Sequence, residues 1–90
     1  MGDYWKLTSK NLIIHDTEDG SLVYHEGTGN THLVSFDAAN ILRLLSQHNA
    51  LPIDEIKLKS ANYISPDSVQ NLVIILNSLQ EVFLIETGNN

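Results

Sequence analysis

The hydrophobic period of this chain changes once, at Ser35, and that change restricts what it can fold into. Before it, apolar residues fall in short runs rich in β-branched side chains: 11–15 (NLIIH), 22–26 (LVYHE) and 31–35 (THLVS). Turn-forming stretches separate them. Residues 16–21 contain Asp19-Gly20, a dipeptide suited to the positive φ of a hairpin turn, and Gly27-Thr28-Gly29-Asn30 follows the second run. Three consecutive strands joined by two turns read as a small antiparallel meander. Trp5 and Leu7 either add a strand or close over one end.

After Ser35 the spacing is helical. Ala38, Ile41, Leu42 and Leu45 recur at i, i+3, i+4 and i+7, the stripe of an amphipathic helix. Ser35 or Asp37 can cap its start by accepting an unpaired backbone N–H, and it should end near residues 47–49. Pro52 restarts the chain into a short helix over residues 53–59, with Asp54 and Glu55 favourably placed in its first turn. Ser65-Pro66-Asp67 then reads as N-cap, proline at the first helical position and an acidic first turn. From there Val69, Leu72, Val73, Leu76, Leu79 and Phe83 keep one stripe for about four turns. Leu84-Ile85 reads as a last strand or a packed tail, and residues 86–90 as a disordered end.

Three helices cannot each cover a three-stranded sheet, so the economical arrangement stacks the sheet on one side of a tri-helical unit. The expected fold is therefore α+β and winged-helix-like, a three-stranded antiparallel meander followed by three helices, in a single domain over residues 1–90. Ninety residues leave no room for a second domain or a large internal cavity. Leu, Ile and Val number 27 of the 90, enough for a core. With no cysteine, there is no disulfide, thiolate nucleophile or cysteine zinc site. No apolar run approaches 18–20 residues and no leader is evident, so a cytoplasmic protein without a membrane span is expected.

Catalytic and ligand motifs are weak. With residues 27–30 as a four-residue turn, His25 would face His32 across neighbouring strands, while His15 falls on the opposite face and His48 at a helix end. No third metal ligand follows, and a structural role for these histidines is the simpler reading. Gly27-Thr28-Gly29-Asn30 lacks the lysine and helix start of a phosphate loop. No serine sits in a nucleophile elbow, and the carboxylates lie in turns and helix starts. A non-catalytic protein with neither cofactor nor metal is expected.

A winged-helix outline raises the alternative of a nucleic-acid-binding regulator. Residues 65–80 contain no Lys or Arg, however, and the chain carries eleven acidic against five basic residues, a net charge of −6. Phosphate binding depends on Lys and Arg, so this helix would be repelled and no nucleic-acid partner is expected. Its apolar excess is more informative. Ile75 lies on the flank of the buried stripe and Ile74 on the far side among Gln70, Asn77 and Glu81, a surplus that can line a groove for a partner. The third strand, 31–35, has no Pro or Lys to blunt it. An open edge beside an apolar helix can accept an extended peptide as an extra strand. Self-pairing of that edge into a homodimer, a structural role, is the competing outcome.

The run YHEGTGNTHLVSFDAANILRLL, a Trp near the start and a final helix ending L-x-x-L-x-x-x-x-L-I-E (residues 76–86) resemble the PqqD-like family. More narrowly, the chain is similar to the subgroup associated with HPr-kinase-related gene systems, through Gly29-Asn30-Thr31-His32-Leu33. The resemblance implies a peptide chaperone, or RiPP recognition element. Such a domain holds the leader of a precursor peptide as an added strand beside its third strand and over its third helix, and presents it to a modifying enzyme. Carried onto this chain, Thr31, His32, Leu33 and Val34 would supply backbone hydrogen bonds, and Val69, Val73 and Leu76 would line the cleft, with Ile75 joining them from the apolar surplus. One departure is Glu81-Val82-Phe83 at the helix exit, where relatives tend to have a glycine.

Overall fold

The computed structural model describes residues 4–88, which form an α+β fold of two small antiparallel sheets and four helices. In chain order the elements are β1 (Tyr4–Leu7), β2 (Leu12–Asp16), β3 (Ser21–His25), β4 (Asn30–Val34), α1 (Phe36–Ser46), β5 (Leu51–Pro52), α2 (Ile53–Ser60), α3 (Pro66–Gln70), α4 (Leu72–Glu81) and β6 (Ile85–Gly88). The meander pairs in the order β2-β3-β4, and the second sheet in the order β5-β1-β6. Among the described residues, no helix is long and apolar enough to cross a membrane.

The meander follows its turns. Thr17 N–H donates to Gly20 O at 2.7 Å and closes the first hairpin. Gly20 is required there, because a Cβ would lie 2.6 Å from the Val34 carbonyl oxygen. In the second hairpin Gly29 takes φ +75° and its N–H donates to His25 O at 2.8 Å. His25 therefore pairs with Asn30, and His32 with Val23. This corrects the expected pairing of His25 with His32: the turn is residues 26–29 rather than 27–30, which shifts the register by two and keeps both rings on one face.

Alternation then sorts the sheet into an inner and an outer side. Leu12, Ile14, Val23 and Val34 join the core, which Ile41, Leu42, Leu45, Ile56, Leu76, Leu79, Leu84 and Ile85 fill from the helices and the second sheet. Ile13, Leu22, Tyr24 and Leu33 are exposed on the outer side. Trp5 and Leu7 belong to β1, which lies not in the meander but between β5 and β6. The tail is ordered where fraying is expected: Glu86, Thr87 and Gly88 pair with Lys6, Trp5 and Tyr4, because Leu84 and Ile85 are fully buried and carry the chain onto β1. Asn89 and Asn90 lie outside the described residues.

The long last helix is divided at Asn71. Both the backbone N–H and the side-chain amide of Asn71 donate to Asp67 O, at 3.0 and 2.9 Å, and its backbone leaves helical geometry at φ −107°, ψ 26°. A side-chain amide that competes for a helical carbonyl interrupts the turn. Beyond the break the buried stripe of α4 is Leu72, Leu76 and Leu79. Val73 and Phe83, expected on the buried stripe, are instead exposed.

Asp37 ties the helices together. Ser35 caps α1 through a 3.1 Å bond from Ala38 N–H, and Ser65 caps α3 through one from Ser68 N–H at 3.2 Å. The Asp37 carboxylate accepts from Ser65 N–H (3.2 Å), Ser65 Oγ (3.0 Å) and Ser68 Oγ. Burial works to raise its pKa, but these bonds, that of Ser68 foremost, outweigh it and hold the carboxyl below its usual 3.8. A depressed carboxylate stabilises the fold fully above its unfolded value and loses that contribution as pH falls through the folded value. Asp37→Ala is expected to lower stability by about 1 kcal/mol near neutrality, a figure discounted for partial exposure. In urea melts the gap between wild type and this variant should narrow below pH ~4. A gap that stays constant into acid would contradict the assignment.

Candidate functional site

The meander leaves β4 as an edge strand, and the direction of its free hydrogen-bonding groups follows from the ladder. Thr17 and Gly20 are hydrogen-bonded at one end of the β2–β3 pair, and Glu26 N–H reaches Asn11 O at the other. In an antiparallel ladder bonded and non-bonded pairs alternate. Leu22 and Tyr24 thus use their backbone groups on β2, while Ser21, Val23 and His25 turn theirs to Val34, His32 and Asn30. The N–H and C=O groups of Thr31 and Leu33 face away from the sheet. They form the free edge.

Beside this edge runs α4. Because its Leu72–Leu76–Leu79 stripe faces the core, Ile74, Ser78 and Val82 project on the flank, and Ile74 remains 63% exposed. A cleft of about 490 Å³ lies between strand and helix, lined by residues 31–35 and Ala38 on one side and by Ile74, Ile75, Ser78, Leu79 and Val82 on the other. Among the described residues no Asp, Glu, Lys or Arg lines it, and His32 is the one titratable side chain that does. In a chain of net charge −6, this is a neutral, largely apolar slot.

Of the residues expected at a binding site, Thr31, His32, Leu33, Val34 and Ile75 come together in this cleft. Val69, Val73 and Leu76 do not. Leu76 is fully buried in the core, Val69 packs against it, and Val73 is 53% exposed outside the cleft. The phase of the helix accounts for this: with Leu72, Leu76 and Leu79 turned into the core, Val73 projects on the side opposite Ile75. Leu79 and Val82 are not among the residues expected to line the cleft, although the i, i+4, i+8 row of Ile74, Ser78 and Val82 on one helix face indicates the second of them. A larger concavity of about 680 Å³ lies between residues 6–10 and the end of α1. It is bordered by the charged side chains Lys6, Lys10 and Glu86 and by His48.

A hydrogen-bonded corner fixes the end of the cleft near Thr31. The buried His25 accepts Thr28 N–H at Nδ1 (3.2 Å), which assigns the ring hydrogen to Nε2. That N–H donates to Thr8 Oγ1 at 3.2 Å, and Thr8 Oγ1 in turn donates to Phe83 O at 2.6 Å. Both ring nitrogens are engaged, so His25 is not free to bind a metal. At the far end of the meander, Asp16 accepts from Ser21 Oγ (2.6 Å) and from Arg43 of α1 (2.9 Å). The Ser21 bond first, and then Arg43, lower the Asp16 pKa.

No protein-family model matches the chain, and no curated protein or solved structure does.

Thr8→Val keeps the shape of the side chain but strands the buried Nε2–H of His25. It should lower stability by about 1–3 kcal/mol, whereas Thr8→Ser should stay near wild type. Equal urea midpoints for wild type and the valine variant would show that the corner does not hold the fold.

Proposed function

We propose that this chain is a non-catalytic, PqqD-like peptide-binding adaptor. It works in the cytoplasm, captures a precursor or leader peptide by strand addition on β4, and presents it to a modifying enzyme. The observation that carries this reading is the neutral cleft between the outward groups of Thr31 and Leu33 and the flank of α4. Strand addition draws affinity from main-chain hydrogen bonds and specificity from alternate side chains. A guest strand on this edge would place every second side chain beside His32 and Val34, facing Ile74, Ile75 and Leu79. The intervening side chains would extend the exposed row of Leu22 and Leu33. Nothing from the chain's own described tail competes for the edge, because β6 is paired with β1. The chain's acidity would steer it toward a peptide or enzyme surface bearing Lys and Arg.

Leu33→Pro tests the mode of capture. Proline removes an outward N–H and leaves the bonds to β3 in place, so the variant should fold. Twelve-residue random peptides displayed on phage provide the probe, and a synthetic copy of the best binder the titration. Capture by Leu33→Pro should be weaker by about tenfold or more, the loss of a main-chain bond plus a clash at the edge. A folded variant that binds as tightly as wild type would refute strand addition. If wild type selects no peptide and its mass instead rises with concentration, the edge pairs copies of the chain and the adaptor reading fails.

A further inference from the structure

Phe83 is the one non-glycine residue with positive φ among the described residues, at +63°, and it is 73% exposed. Its position explains the geometry. Phe83 N–H donates to Gln80 O (3.0 Å) and Leu84 N–H to Leu79 O (3.1 Å), the two bonds of a Schellman motif, with Leu84 and Leu79 buried together. That motif calls for a left-handed residue after the helix, normally glycine because a side chain is strained there. A phenylalanine at this point adds backbone strain and leaves its ring in water, so the fold gains little from it. Strain of this kind, where the surroundings enforce it, is a pointer to function.

The surroundings do enforce it. The Phe83 carbonyl is held by Thr8 Oγ1, which is itself held by the His25 ring, and His25 pairs with Asn30 at the start of β4. The Phe83 backbone is thereby tied to the corner beside Thr31, and the residue directly follows Val82, the last of those lining the cleft. We infer that Phe83 is a specificity residue at the mouth of the cleft: its exposed ring, carried on a braced backbone, takes a large apolar side chain of the bound peptide as that peptide runs past Thr31. The inference rests on the proposed peptide capture and adds an anchor beyond the strand-pairing residues. A rigid aromatic gives much contact area for little lost freedom, as binding hot spots do.

The test exploits opposite signs. Phe83→Gly relieves the strain, and Phe83→Asn tolerates the same backbone geometry with a polar side chain. Phe83→Gly should raise the melting temperature by about 2–6 °C, Phe83→Asn should melt no lower than wild type, and both should bind the phage-selected peptide about tenfold or more weakly. Phe83→Trp should retain binding. Alanine replacement along that peptide should identify one large apolar position whose loss is harmless to Phe83→Gly but not to wild type. If Phe83→Gly and Phe83→Asn bind as wild type does, the inference falls while the cleft reading stands. If Phe83→Gly is less stable, the ring serves the fold and the inference also falls. A wild type that selects no peptide overturns both.

Discussion

A β-strand directs its backbone hydrogen bonds to two sides in alternation, and among the described residues β4 has a neighbour on only one of them. Asn30, His32 and Val34 are satisfied by β3, while Thr31 and Leu33 turn their amides and carbonyls outward. The remaining features of the candidate site follow from that asymmetry together with a second one, in α4. That helix buries Leu72, Leu76 and Leu79 and leaves Ile74 and Val82 beside the open strand. Two half-satisfied surfaces, one polar and repetitive, the other apolar, meet along one line.

The second sheet decides that this line stays open. A chain of 90 residues with a short apolar segment after its last helix could have laid that segment on β4. It goes to β1 instead, where Ile85 enters the core and residues 85–88 pair with the first strand. The turn that sends it there is the left-handed Phe83, braced by Thr8 and His25. The same corner therefore directs the tail away from the edge and fixes one end of the cleft.

Much of this was legible in the sequence, and the failures have identifiable causes. The strands of the meander, the Ser35 and Ser65 caps and the buried face of the first helix follow from period, turn chemistry and capping. The free edge follows from strand count. The hairpin register does not, because the bonds from Thr28 N–H to the His25 ring and from Gly29 N–H to His25 O hold residues 26–29 as the turn, and periodicity is blind to a shift of two residues. The cleft-facing side of the last helix is misassigned for Val69, Val73 and Leu76 because they belong to the core stripe or to its opposite flank, whereas the cleft is lined from the flank of Ile74, Ser78 and Val82. The absence of a glycine at the helix exit is legible in Glu81-Val82-Phe83. Only the backbone angle shows that this absence means a strained residue rather than a different turn.

The central claim concerns two amides, and amide hydrogen exchange resolved by residue addresses it directly. In the free monomer Thr31 and Leu33 should exchange rapidly, and His32 and Val34 slowly. When the cleft is filled by a bound peptide, Thr31 and Leu33 should become protected, with little change at the other two. Uniformly slow exchange along β4 in the free monomer, or protection that fails to reach Thr31 and Leu33 on binding, would contradict the account.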